Sequence, residues 1–538
     1  MSKAEKLNFT TKLAYGSGDM GPAITANVLV FFLLYFFTNV AGLPPGMAGS
    51  ILAIGKIGDA VNDPIAGILS DRTRTKWGRR IPWMLFGTLP FGLFFFLQWI
   101  VPTFSSDPNI NNWCLFAYYI VIATLFNLAY TAVNLPYTAL TPELTQDYNE
   151  RTNLNSYRFA FSIGGSILSL LLASFITQAF PNDPVAEYRT LGLFSAIVSM
   201  VALLWATFRI QERGAEPLLN PQLKKVVGFI LIAVGIGSIA YGVSQFANGN
   251  VYNILFILLG FQLTCFGYTL LFAKTESHLT DDRAKEHRIA TQTTPTTPLK
   301  EQIKIAFSNK PFRYVIGIYL CCWLAVQLTA SILIYYVVSC IGMTREAFPT
   351  VAIAVQGTAL IMLFVWKIVS QKIGKRAVFF IGASIWIVAQ AGLFLLKKDQ
   401  TLELYILASM AGIGVSVAYL IPWSMIPDVI ELDELNTGQR REGIFYSFMI
   451  LLQKMGLALA LFLVGLALDW SGFEEAKLGA VIPEQPDSAL LAIRIAVAPL
   501  PTVFLIIGLV LAYFYPITKE YHAEIVAKLE ARENGEAL

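Results

Sequence analysis

The chain has 538 residues, 55% hydrophobic and 13% aromatic, with only 14% charged and a mean hydropathy of +0.59. That balance excludes a soluble multidomain protein and describes an all-α membrane protein, because a helix satisfies its own backbone hydrogen bonds where lipid cannot. The net charge of +3 is too small to point to nucleic acid, so the basic residues inform by where they cluster.

The start, MSKAEKLNFTTKLAYG, is short, polar and basic, and reads as a cytoplasmic amino terminus without a cleavable signal. Apolar runs follow at 22–41, 48–70, 81–103, 113–135, 158–180, 190–209, 226–245, 252–273, 313–340, 348–370, 376–396, 402–425, 443–468 and 490–515. These fourteen runs each approach the ~20 residues a helix needs to cross a bilayer. The loop DRTRTKWGRR carries Arg72, Arg74, Lys76, Arg79 and Arg80, whereas the next loop, SSDPNINN, carries no basic residue. Basic loops recur on the same side at QDYNERTNLNSYR, QKIGKR and DELNTGQRREG, so both termini are expected in the cytoplasm of a cell carrying the protein in its inner membrane.

The longest polar interruption, ESHLTDDRAKEHRIATQTTPTTPLKEQIK, divides the chain. Its Thr-Pro run favours extended chain, and Leu299 to Phe307 fits a short surface helix. The expected organisation is a six-helix bundle over 1–212, an extra pair of spans and a linker over 213–312, a second six-helix bundle over 313–517 and a cytoplasmic tail over 518–538. An internal echo supports related halves: Gly78-Arg79-Arg80 follows the second span, and Gly374-Lys375-Arg376 follows the second span after the linker. Related halves with a site between them are the expected design of a secondary transporter. The five cysteines, Cys114, Cys265, Cys321, Cys322 and Cys340, have no metal-ligand spacing and read as packing residues.

The stretch GDAVNDP stands inside the second run. Lys56, Asp59 and Asp63 lie at i, i+3 and i+7 and share one helical face, with Asn62 beside them. Ionisable groups within a span normally face a bundle interior or a watery cavity, where they pair or handle ions. Two carboxylates and one ammonium leave one net negative charge for a monovalent cation or a proton to neutralise. Oxygen ligands suit a hard cation, and Asp59, Asp63, Asn62 and Thr131 from the fourth span supply them, so Na+, Li+ and H+ all fit. A salt bridge from Lys56 to either aspartate, with no transported ion, is the alternative. Lys454 stands mid-span in the thirteenth run, too deep to reach either surface, and is expected to reach the Asp59/Asp63 pair. In YTAVNLPYTALTPEL, Thr131 and Asn134 share a face before Pro136, which is expected to kink or loosen the helix, and Arg158 opens the fifth span. Asn134 and Arg158 could contact a polar substrate, or Asn134 could bridge helices. The histidines, His278, His287 and His522, fall in the linker or tail, which excludes a histidine proton relay within the membrane.

The runs KLAYGSGDMGPAITANVLVFFLLYFFTNVAGL, GKIGDAVNDPIAGILSDRTRTKWGRRIPW and NLPYTALTPELTQDYNERTNLNSYRFAF, with IPWSMIPDVIELDELNTGQRREGIFYSFMILLQKMG and YPITKEYHAEI, resemble the glycoside-pentoside-hexuronide:cation symporters. These form the melibiose-permease branch of the major facilitator superfamily, and the resemblance covers nearly all the chain outside 213–312. It implies Na+-, Li+- or H+-coupled uptake of a sugar or glycoside by alternating access, with no catalysis and no cofactor beyond the coupling cation. It also implies a cation held by Asp59, Asn62 and Asp63 with Thr131, a charge network adding Lys56 and Lys454, and a substrate-side Arg158. Asp19, Asn27, Asn134, Tyr419 and Tyr446 complete the candidate substrate set, and the protein is expected to act as a monomer in the bilayer. Two departures bear on the solute. Where galactoside-binding members grip hydroxyls with acids, this chain has Ala23 and Asn134, and Thr138 replaces their sugar-stacking tryptophan. The segments SMIPDVIELDE and EGIFYSFMILLQK also resemble the sodium-dependent lysophosphatidylcholine symporters, which makes an amphiphile the alternative solute. A third reading starts from Gly16-Ser17-Gly18-Asp19, the GxGD pattern of intramembrane aspartyl proteases, which would need a second aspartate facing Asp19.

Overall fold

The first helix begins well before the apolar run that marks it in the sequence. In the computed structural model, which describes residues 7–145, 148–212, 215–245, 251–272, 299–437, 442–475 and 483–533, helix α1 runs Phe9–Asn39 and so starts well before residue 22. Tyr15 to Gly18 are buried, and at Gly16 and Gly18 the rings of Phe161 and Tyr137 lie where a Cβ would be. Packing of this polar, glycine-containing turn thus extends the helix beyond its hydropathic part. A π-helical turn interrupts α1 at Leu29–Leu33.

The remaining helices are α2 (Pro45–Arg72), α3 (Ile81–Leu97), α4 (Pro108–Thr138), α5 (Tyr148–Ala179), α6 (Pro184–Arg209), α7 (Pro221–Ser244) and α8 (Val251–Phe272). After the linker come α9 (Leu299–Ser308), α10 (Lys310–Tyr335), α11 (Phe348–Ile373), α12 (Lys375–Leu395), α13 (Thr401–Thr437), α14 (Glu442–Trp470), α15 (Asp487–Val497), α16 (Pro499–Tyr513) and the tail helix α17 (Lys519–Glu533). Twelve segments among the described residues are long and apolar enough to cross a membrane, counting α15 and α16 as one. α2 and α3 are not in that set; α3 is a shorter apolar helix of 17 residues. They occupy the places of the second and third expected spans. The last expected span is broken at Ala498, where Pro499 and Pro501 start a new helix. Of the linker, 273–298 lies outside the described residues, while α9 coincides with the expected surface helix.

The echo between the halves has a conformational basis. Gly78 and Gly374 have φ of +111° and +87° and stand just before α3 and α12, so each makes a tight left-handed turn between two spans. At the first of these turns the Glu212 carboxylate accepts hydrogen bonds from the backbone N–H of Arg79 (2.9 Å), Arg80 (2.7 Å) and Ile81 (2.9 Å). A carboxylate there satisfies donors that no intrahelical carbonyl can reach and complements the helix dipole. Glu212→Ala is therefore expected to destabilise the protein by about 2 kcal/mol, read as a lower thermal midpoint in detergent. An unchanged midpoint would remove this role for Glu212.

The extra pair, α7 and α8, is held by glycines seven residues apart. A Cβ at Gly235 would stand 2.7 Å from the Gly260 carbonyl oxygen, and one at Gly267 would stand 2.6 Å from that of Gly228. Such close backbone approach is how helices associate where lipid is as apolar as the side chains. α8 joins the rest through Gln262, which donates to Val198 O at 3.0 Å, and Thr269, which accepts from the Trp205 indole at 2.8 Å.

Candidate functional site

α2 brings its charged face against α4 and α14. Asp59 is 1% exposed and Asp63 half-buried, and the Thr131 hydroxyl of α4 lies 2.9 Å from Oδ1 of each. The Lys454 ammonium of α14 lies 3.0 Å from Asp59 Oδ2 and 2.5 Å from Asp63 Oδ2. Thr131 has one hydroxyl hydrogen and can donate to only one of the two carboxylates. The carboxylate that does not receive this hydrogen keeps an acceptor facing the Thr131 oxygen, a place that suits a proton or a small cation. The donor set, carboxylate and hydroxyl oxygens alone, fits a hard monovalent cation. Among the described residues, no three His, Cys, Asp or Glu side chains gather as a metal centre.

Two members of the expected set make no direct contact with the carboxylates. Lys56 makes no ion pair with either aspartate; its ammonium lies 3.4 Å from Asn127 Oδ1 on α4. The alternative, a salt bridge from Lys56, is not formed; the ammonium that meets the two carboxylates is the one expected there, Lys454, from the far end of the chain. Asn62 is half-buried, and no hydrogen bond among the described residues joins it to Asp59, Asp63, Thr131 or Lys454.

The candidate substrate residues divide into three groups. Arg158 on α5 faces Asp19 on α1, Nε to Oδ2 at 3.5 Å, so Asp19 meets an arginine and not the second aspartate that a protease would need. Arg158 Nε makes no hydrogen bond, and neither does Asn134 Oδ1, although both atoms are buried. Asn27 has its amide fully engaged: Nδ2 donates to Ser166 O (2.9 Å) and Ser169 Oγ (2.7 Å), and Oδ1 accepts from Gln356 Nε2 of α11 (2.8 Å). Asn27 thereby braces α1, α5 and α11. Tyr419 and Tyr446 belong to an aromatic group: Tyr446 stacks on Trp423 at 6.1 Å, and Tyr419 meets Trp323 edge-on at 6.3 Å. Trp323 and Trp423 were not among the expected residues. Their signal was a tyrosine followed four residues later by a tryptophan, at Tyr319-Trp323 and again at Tyr419-Trp423. Asn127 and Gln356 carried no local signal.

The segments before and after the linker meet along a seam tightest at the ends remote from the basic loops. There Arg345 bonds Glu187 (3.2 Å) and Pro181 O (3.1 Å), the Thr38 hydroxyl meets Tyr335 (2.7 Å), and Phe32 packs edge-on against Phe348 (5.2 Å). A Cβ at Gly465 would lie 2.8 Å from Gly49 Cα, so α2 and α14 touch backbone to backbone.

Comparison with known proteins agrees with this architecture. The solved E. coli xylose transporter XylE, in a partially occluded inward-open conformation, superposes with a TM-score of 0.55 at 11% identity, covering 95% of this chain and 98% of that one. A Synechocystis protein described as an uncharacterized symporter is 57% identical over 99% of this chain and 98% of its own length. The sodium-dependent lysophosphatidylcholine symporter 1-A of Danio rerio is 26% identical over 96% of this chain and 87% of its own. The family model described as MFS/sugar transport protein matches residues 14–225 and 221–519. The chain, an all-helical multi-pass membrane protein of the major facilitator fold, therefore belongs to the MFS/sugar transport protein family.

Proposed function

We propose that the protein is a cation-coupled symporter of a neutral, hydroxyl-rich solute of the sugar or glycoside type, in the glycoside-pentoside-hexuronide:cation branch. The bundles over 1–212 and 313–517 would rock about the seam, with both termini and the basic loops in the cytoplasm. Asp59, Asp63 and Thr131 would hold Na+, Li+ or a proton, and Lys454 would take the cation's place when the site is vacated. Because solute and cation each change the other's affinity by the same factor, joint occupancy couples uphill uptake to the ion gradient.

The observation that carries the choice of solute is the state of Arg158. Its charge is already matched by Asp19 at 3.5 Å, yet its Nε makes no hydrogen bond, and Asn134 Oδ1 is an unmet acceptor. A charge-balanced arginine whose Nε makes no hydrogen bond, together with an amide oxygen that accepts none, suits hydroxyl groups, which both give and accept hydrogen bonds. A phosphate monoanion would instead need an uncompensated cation. The alternative, a lysophospholipid or similar amphiphile, is favoured by the relative named as a lysophosphatidylcholine symporter and by the Trp323, Trp423, Tyr419 and Tyr446 group, which could receive an apolar or quaternary-ammonium portion.

Thermal-shift measurements on purified protein with sugars, glycosides and lysolipids, each in Na+, Li+ or K+, distinguish the two. A ligand raises the midpoint in proportion to its occupancy, and the expected hit is a sugar or glycoside whose shift depends on the cation. Hits confined to lysolipids would replace the sugar reading by the alternative. Uptake into proteoliposomes against a gradient, absent without imposed Na+ or pH difference, is the accompanying functional result.

A further inference from the structure

We infer that Asn127 is a positioning residue of the coupling site: it holds the Lys56 ammonium away from Asp59 and Asp63 and so preserves the single negative charge that a monovalent cation neutralises. This rests on the cation reading of that site.

The amide of Asn127 is oriented by its own contacts. Nδ2 donates to the Gly55 carbonyl at 3.0 Å, which turns Oδ1 toward Lys56 Nζ at 3.4 Å. Gly55 is the residue that permits the approach, since a Cβ there would stand 3.1 Å from Asn127 Nδ2. Asn127 is 5% exposed, so bulk water cannot readily replace its oxygen. The charge count explains why the arrangement matters. In direct contact, Asp59, Asp63 and Lys454 sum to one negative charge, the complement of Na+, Li+ or H+, while Lys56 acts on them only through space. Lys56 lies one turn before Asp59 on the same face, and its flexible four-carbon stem allows it to pair with that carboxylate once Asn127 no longer engages it. A second ammonium in contact with the carboxylates would then offset the remaining negative charge and weaken the cluster's electrostatic preference for a cation. Asn127 thus separates two lysines by role: Lys454 shares the site with the ion, and Lys56 is kept out of it.

The test is a titration of thermal stability with Na+ and Li+ at constant ionic strength, and with protons in place of Na+, on the full-length protein and three variants. Asn127→Ala is expected to raise the half-saturating cation concentration about tenfold or more, because an ammonium beside the carboxylates competes with the ion. Lys56→Gln alone should leave it within about twofold, and Asn127→Ala/Lys56→Gln should return it to near the wild-type value. A merely structural Asn127 would lower the midpoint equally at every cation concentration and would not be rescued by removing Lys56, so that pattern overturns the inference, as does an unshifted Asn127→Ala. If Asn127→Ala does not fold, Lys56→Gln decides: a tenfold tighter site would mean that Lys56 already competes there, against the inference. A wild-type protein indifferent to Na+, Li+ and protons would remove the cation reading itself, and the inference with it.

Discussion

Lys454→Ala is expected to abolish cation-driven accumulation of solute. The substitution deletes the ammonium that lies 3.0 Å from Asp59 and 2.5 Å from Asp63, leaving two carboxylates around one threonine hydroxyl, with Asp59 1% exposed. Removing one partner of a buried ion pair costs about 3–5 kcal/mol, because the remaining charge is stranded. The stranded pair has one way to recover, which is to retain a proton or cation permanently. A site that cannot release its ion cannot complete a transport cycle, so proteoliposomes should accumulate no more solute with an inward Na+ gradient than without one. Stability should also become more dependent on Na+ than in the wild type, since the ion now does what the lysine did. Lys454→Ala/Asp63→Asn removes one charge of each sign and should recover much of the lost stability without restoring coupling. Unchanged accumulation and unchanged cation affinity in Lys454→Ala would sink this account of the site.

Much of that cluster was legible in the sequence because its charged face is local. Lys56, Asp59 and Asp63 follow helical spacing, and a lysine in the middle of an apolar run has few destinations, so Lys454 could be matched to the pair across 391 residues. What periodicity does not carry is which neighbour wins. Lys56 had two carboxylates within a turn or two on its own helix, yet Asn127, 71 residues away, takes it. Asn27 was a candidate solute contact, and its engagement depends on Gln356, 329 residues distant, and on two serines of α5. The fold followed the same rule. Apolar runs located the spans, but α1 starts earlier than its apolar run, over a turn where Phe161 and Tyr137 close against Gly16 and Gly18, contacts that hydropathy does not register. Boundaries and partners are tertiary properties, whereas spans and faces are local ones.

The second large effect is expected at the opposite end of the seam, from Arg345→Ala or Glu187→Ala. Arg345 stands just before α11 and reaches both Glu187 at the start of α6 and the Pro181 carbonyl, joining the segments on either side of the linker. Glu187 is 3% exposed, so the pair is screened little by water and each partner is stranded by loss of the other. The same end of the seam is closed by Thr38 with Tyr335, by Phe32 with Phe348 and by the contact of Gly49 with Gly465. Those contacts are apolar or neutral and favour close packing. Arg345 and Glu187 supply the directional, charge-assisted part of the closure. Breaking it should shift the conformational equilibrium toward opening on this side by about 2 kcal/mol or more, a change of roughly thirtyfold in the ratio of the two states. Spin labels at Asn182→Cys and Thr344→Cys, both exposed and on opposite sides of the pair, should report a longer mean distance in Arg345→Ala than in the parent. Glu187→Ala should do the same, and Arg345→Ala/Glu187→Ala should lengthen the distance no more than either alone, because both act through one bond. A distance distribution unchanged in both single variants would mean that the aromatic and glycine contacts hold this end closed without the ion pair.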